Sequence, residues 1–157
     1  MPSLVVFDLD LTLWHCGPLL WCDQLQPPIH QDADGTIHDA NEVKISLYHE
    51  VPKILKNLTE DGYTLALASR TSAPHIAHQL LELFEIAHYF SYQEIYPSDK
   101  TVHFAALKEQ TGIRYQEMIF FDDEPRNISD VTGIGAQAHL VTHGITHDLI
   151  RETLLDR

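Results

Sequence analysis

Cysteine is nearly absent from this chain: 157 residues contain only two, Cys16 and Cys22, which excludes a disulfide framework. Basic residues are also scarce. Lys and Arg together number 10 against 23 Asp and Glu, a net charge of −13 with His neutral, and such a surface repels a nucleic-acid backbone. Nucleic acid is thereby excluded as a general partner, although a single phosphate group could still be held if a cation sat among the carboxylates. Long apolar runs are missing too. None approaches the roughly 18 residues of a membrane helix, and Met1-Pro2-Ser3 carries no basic region ahead of its apolar run, as a signal peptide would. The expectation is a cytoplasmic protein without membrane contact, monomeric because no heptad seam is present, and folded over 1–157 as one domain around one core.

Histidine, by contrast, is plentiful at 11 residues. His75 and His78 lie one helical turn apart, and His139, His143 and His147 recur every four residues, yet neither set joins the cysteines at a zinc spacing. Structural zinc is therefore not expected, and most histidines read as surface groups.

Strand and helix patterns alternate along the chain. Leu4 to Leu9 reads as a strand, Val51 to Glu60 as a helix and Tyr63 to Ala68 as a buried strand. Thr71 or Ser72 can cap a helix that has Pro74 in its first turn. A strand at Phe90 to Ile95, a helix at Thr101 to Gln110 ended by Gly112, and a strand at Met118 to Phe121 continue the rhythm. A helix at Arg126 to Val131, a strand at Ala138 to Val141 and a helix at Asp148 to Leu155 complete it. This alternation predicts an α/β fold, a three-layer Rossmann-like sandwich around a central parallel sheet. Residues 15–47 break the pattern. Pro27-Pro28 and the turn signal Asp34-Gly35 predict a small insertion with a β-hairpin, overhanging the carboxyl end of the first strand. Within it, DADGTIHDANE resembles a calcium loop only superficially: with Gly35 at the sixth position, the first is His30 and the twelfth Asn41, so the register fails.

The chemistry concentrates where strands end. In VVFDLDLTLW, Asp8, Asp10 and Thr12 would lie on one strand face about 7 Å apart per pair, and ligands in open parallel sheets bind beyond the strands' carboxyl ends. MIFFDD puts Asp122 and Asp123 after another strand, YTLALAS ends on Ser69, and Lys100 stands near a helix start. Four carboxylates on one edge cannot all ionise together. A hard divalent cation resolves the repulsion, and Mg²⁺ held by carboxylates and substrate phosphate oxygens fits.

The order hhhhDxDxT, hhhhS, K, hhhhDD resembles the haloacid dehalogenase superfamily of aspartyl-phosphate phosphatases. FDLDLTLW, ASRTS, EIYPSDKTVHF and FFDDEPRNI are similar to its magnesium-dependent phosphatase branch. The resemblance runs nearly end to end and implies a phosphoric monoester hydrolase in which Asp8 is the nucleophile and Asp10 the general acid and base. It further implies a Mg²⁺ held by Asp8, by Asp123 and by the backbone carbonyl of Asp10. Asp122 would bind through water or steady the lysine, Ser69 and Lys100 would hold the phosphoryl group, and Thr12 would shape the loop. Arg70 is expected to bind substrate from the rim, where Trp14, Trp21 and Tyr48 are also expected, with Trp14 read as packing. The substrates implied are phosphotyrosine in proteins or phosphorylated small molecules, among them sugar phosphates and phosphorylated glycation adducts.

Other chemistries fit less well. Cysteine-based phosphate transfer needs Arg six residues after the nucleophile, but Cys16 is followed there by Cys22, and Cys22 by Pro28. A receiver-like phosphoacceptor module is the alternative of a different class. It lacks an acid two residues after the phosphorylated Asp and carries its acidic pair first, so Asp10 is the discriminating residue. A phosphomutase closes a cap domain over the site, and an insertion of 15–47 is too short for one.

Overall fold

The computed structural model describes residues 2–155. Leu4–Phe7 forms β1, and the insertion supplies β2 (Trp14–His15), β3 (His30–Gln31), β4 (Ile37–His38) and β5 (Lys44–Leu47). After it come α1 (Val51–Glu60), β6 (Thr64–Ser69), α2 (Pro74–Leu83), β7 (Phe90–Ile95) and α3 (Lys100–Thr111). The chain closes with β8 (Met118–Asp122), α4 (Pro125–Gly133), β9 (Gln137–Leu140) and α5 (His147–Ile150), whose helix runs on as wider turns over Arg151–Leu155.

Five strands form a wholly parallel sheet in the order β7-β6-β1-β8-β9. Its central strands are apolar on both faces because both are covered. Val5, Phe7, Leu65, Leu67, Ile119 and Phe121 face α1, α2 and α5, while Leu4, Val6, Ala66, Ala68, Met118 and Phe120 face α3 and α4. The period-two alternation of strand side chains thus divides the core between two helical layers. The α/β sandwich is as expected, with most element ends shifted by one or two residues. α3 stops at Gly112, whose φ of 72° supplies the left-handed C-cap.

Three local expectations are corrected. The first strand ends at Phe7, not Leu9, because the chain turns: Leu9 O accepts from the Thr12 and Leu13 amides, and Leu11 is left-handed at φ 64°. Asp8, Asp10 and Thr12 therefore do not share a strand face. The insertion is more than a hairpin, since β2, β5, β4 and β3 form a four-stranded antiparallel sheet around Ile37 and Ile45. The cap of α2 is Ala73, without a side-chain bond. Thr71 Oγ1 instead accepts from the Ala73 amide at 3.2 Å, and Ser72 Oγ donates to Asp23 at 2.8 Å.

Candidate active site

Buried apolar strands cannot carry carboxylates in their middles, so the acids appear where β1 and β8 run out. A cleft of about 350 Å³ opens there, lined by Asp8, Asp10, Ser69, Lys100 and Asp123 together with Arg70 and residues of the insertion. Its place beyond the carboxyl ends of the parallel strands follows the rule for such sheets.

Lys100 organises the cleft. As the first residue of α3 it is fully buried, and its ammonium lies 3.1 Å from Asp8 Oδ1, 2.9 Å from Asp122 Oδ2 and 2.6 Å from the Ala68 carbonyl. Those contacts occupy its three donors. Burial alone would lower its pKa, but Asp8 and Asp122 outweigh burial and hold it above the ordinary lysine value.

Asp122 is saturated by donors. Its Oδ1 accepts from the Glu124 amide at 2.9 Å, and its Oδ2 from Asn127 Nδ2 at 2.9 Å as well as from Lys100. Of the two roles open to it in the sequence, this geometry suits steadying the lysine.

Asp8, Asp122 and Asp123 bring carboxylate oxygens within 4.8 Å of one another. Burial, then repulsion from Asp122, pushes the Asp8 carboxyl well above its usual range, with Lys100 opposing. Burial likewise pushes Asp123 up to about 6, although its hydrogen bond with Asp8 pulls the other way. One ammonium facing three carboxylates leaves charge uncompensated. Asp8 and Asp123, with carboxylate oxygens within 4.8 Å of each other, form an oxygen pair of the kind a hard cation joins.

Asp10 stands apart from this cluster. Its Oδ1 accepts from Trp14 Nε1 at 2.7 Å and its Oδ2 from the Cys22 amide at 3.1 Å, so its carboxylate is held by the insertion. Burial raises its pKa, and these two donors oppose the rise. Thr12 lies outside the cleft lining. It is buried, its carbonyl accepts from the Ile145 amide at 2.9 Å, and its hydroxyl reaches Asp8 Oδ2 at 3.5 Å.

Ser69 ends β6 with its Oγ accepting from the Thr71 amide at 3.3 Å, which leaves the hydroxyl proton to donate elsewhere. Arg70 Nη1 donates to Asn127 Oδ1 at 3.1 Å. Trp14 is wholly buried, and Trp21, 42 % exposed, lies on the cleft wall. Tyr48 lines a different depression, beside His143 and His147. Both thiols are buried and pushed upward by burial and nearby carboxylates, so neither is a thiolate near neutrality.

The sequence reading passed over three residues. Asn127 joins Asp122 to Arg70, and Arg126 on the cleft wall pairs with Asp99 at 2.8 Å. Both follow the acidic pair in DDEPRN, which was the available signal. His103 is buried with its ring between the carbonyls of Ser69 (2.8 Å), Tyr96 (2.9 Å) and Asp99 (3.0 Å), and burial lowers its pKa. Its position three residues after Lys100 gave no hint of that role.

Comparison with known proteins agrees with this geometry. The family model described as acid phosphatase matches residues 1–157. The chain is 44% identical over 155 residues to Magnesium-dependent phosphatase 1 of Homo sapiens, covering 98% of this chain and 86% of that one. A HAD-like hydrolase superfamily protein of Schizosaccharomyces pombe is 37% identical over 138 residues, covering 80% of this chain and 78% of its own length. Among solved structures, a HAD family enzyme of Bacteroides thetaiotaomicron, in complex with magnesium and inorganic phosphate, superposes with a TM-score of 0.69 at 15% identity, over 96% of this chain and 99% of that chain. Family model, identity over nearly the whole chain and a parallel sheet with acids at its carboxyl edge converge: this chain belongs to the acid phosphatase family, in the magnesium-dependent phosphatase branch of the haloacid dehalogenase superfamily.

Proposed function

We propose that the protein hydrolyses phosphate monoesters with Mg²⁺ through an aspartyl phosphate on Asp8. The observation that carries this reading is the division of labour between two acids two residues apart: Asp8 is held by Lys100, whereas the carboxyl of Asp10 is held by Trp14 and the Cys22 amide. In the first step an Asp8 carboxylate oxygen bonds to phosphorus, the bond from phosphorus to the ester oxygen breaks, and Asp10 gives its proton to the departing oxygen. In the second, Asp10 takes a proton from water as the water oxygen bonds to phosphorus. The bond from Asp8 to phosphorus then breaks and inorganic phosphate leaves. The Ser69 hydroxyl is the donor for a phosphoryl oxygen, and the Lys100 ammonium neutralises charge on the phosphate and on Asp8. Asp8 and Asp123, with the Asp10 carbonyl, would hold the metal. When bound, Mg²⁺ supplies charge neutralisation between carboxylate and phosphate and orients them for in-line attack. The magnesium named in the human relative, and present with phosphate in the bacterial neighbour, supports this assignment.

The substrate side of the cleft is open. Trp21 offers an aromatic face to an aryl or sugar ring, and Arg70 and Arg126 offer positive charge. Phosphotyrosine peptides and sugar phosphates are the two substrate classes that suit it. The test is steady-state release of phosphate from p-nitrophenyl phosphate, phosphotyrosine peptides and a sugar-phosphate panel, with acid quenching to trap phosphoenzyme. EDTA is expected to abolish turnover, Mg²⁺ to restore it, and Asp8→Asn to give neither product nor trapped phosphate. Turnover without metal, or an active Asp8→Asn enzyme, would overturn the reading.

A further inference from the structure

The insertion carries a second set of metal-ligating side chains that phosphate chemistry does not use. His30 on β3 and His38 on β4 are directly opposed across the strand pair, their rings stacked at 5.6 Å. They occupy the face opposite Ile37 and Ile45, which enter the core. Each flanking turn adds an acid. Asp32, from the turn between β3 and β4, places Oδ1 3.9 Å from His30 Nε2 and Oδ2 3.2 Å from His38 Nδ1. Glu42, from the turn between β4 and β5, places Oε1 3.7 Å from His30 Nε2. One donor atom from each of His30, His38 and Glu42 lies within 4.8 Å of the others.

The geometry points to a second metal site here, a two-histidine, carboxylate centre for a divalent transition ion of the Zn²⁺, Ni²⁺ or Cu²⁺ class. Four-coordinate zinc with ligand distances of about 2.0–2.2 Å separates neighbouring donors by roughly 3.3–3.6 Å, and His30 Nε2 and Glu42 Oε1, 3.7 Å apart, lie close to that spacing. His38 Nδ1 is buried and makes no hydrogen bond, although Asp32 Oδ2 lies 3.2 Å away. A buried nitrogen without a hydrogen bond is costly, and a cation between imidazole and carboxylate satisfies both. Glu42 reaches the pair from a left-handed backbone, φ 62°. Imidazole selects borderline-soft ions over Mg²⁺, so the two sites divide metals by chemistry: oxygen donors at the strand ends, nitrogen donors in the insertion. Exposed Lys44, opposite His38 on β5, is the competing cation on this face. The site would clip both turns of the sheet whose loop holds Asp10 through Cys22.

The experiment uses tag-free full-length protein, stripped with EDTA, desalted and returned to millimolar Mg²⁺ so that the strand-end carboxylates are occupied. Zn²⁺ is titrated against a chromophoric chelator, and Co²⁺ binding is read by its visible absorption. Wild type is expected to take one equivalent of Zn²⁺ that Mg²⁺ does not displace. Asp123→Asn should retain it, and His30→Asn and His38→Asn should each weaken it by at least about tenfold. Circular dichroism monitors folding, and the exposed Glu42→Gln variant carries the same expected loss should a histidine variant not fold. Absence of a Mg²⁺-resistant equivalent in wild type overturns the inference. So does unchanged affinity in folded histidine and Glu42 variants, or loss of the equivalent in Asp123→Asn.

Discussion

Trp14 Nε1 donates to Asp10 Oδ1 at 2.7 Å, joining a wholly buried indole to a carboxyl group that lines the cleft. The bond spans four residues because the chain turns after Phe7 through the left-handed Leu11. Trp14→Phe keeps an aromatic ring but removes the donor, so Asp10 loses one of its two orienting contacts. We expect kcat on p-nitrophenyl phosphate to fall by about tenfold with KM changed little, since misplaced proton donors cost rate more than binding. An unchanged kcat in a folded Trp14→Phe enzyme would sink the assignment of Trp14 as the residue that positions Asp10.

Trp21 is the exposed aromatic of the cleft wall. If it stacks on the substrate ring, Trp21→Ala should raise KM for aryl phosphates by about two- to tenfold and spare kcat. Equal effects on phosphotyrosine and on a small acyclic phosphate would show that the indole does not read a ring.

Asp39 knots the insertion. Its carboxylate accepts from the amides of Gln26 (2.8 Å), Asn41 (2.9 Å) and Val43 (2.8 Å). Burial raises its pKa, yet these bonds outweigh burial and hold it below the ordinary value. A folded pKa lower than the unfolded one means stabilisation present above pH about 4 and lost as pH falls through the folded value. Asp39→Ala should cost about 2–4 kcal/mol near neutrality and flatten the acid side of the stability curve, as measured by urea melts from neutral to acid pH. An acid limb of the same steepness in the variant would contradict this.

Gly144 has φ 81°, and a Cβ placed there would collide with the Tyr48 ring at Cγ. Gly144→Ala should therefore destabilise by about 2–4 kcal/mol. Gly35, at φ 89° with nothing within 4 Å, is the control, and Gly35→Ala should cost only about 1 kcal/mol for its backbone. Thermal melts giving equal losses would remove the steric part of the argument.

Much of the fold could be read in advance because each signal was local. The apolar face of Val51 to Glu60 predicts a helix, and α1 has those bounds. Buried β6 and β8 announced themselves as apolar runs closed by polar residues. The length of β1 misled, since Leu9 is apolar and buried whether it extends a strand or closes a turn. The insertion misled for a related reason: strands of two residues carry no period, and their pairing in a four-stranded sheet depends on partners elsewhere in the chain.

The sequence by itself determined the alternation of strands and helices, the acids and hydroxyl at the strand ends, and the need for a hard cation among them. These follow from periodicity and from charge counting, which require no coordinates. Only the tertiary structure decided how the carboxylates are shared out. Asp122 goes to Lys100 and Asn127, Asp10 to Trp14 and Cys22, while Asp8 shares Lys100 and lies within 4.8 Å of Asp123. It also brought His30 opposite His38 and placed His103 behind Ser69. Such pairings are set by strand register and by packing between residues far apart in the chain, where a few ångströms change which donor meets which acid.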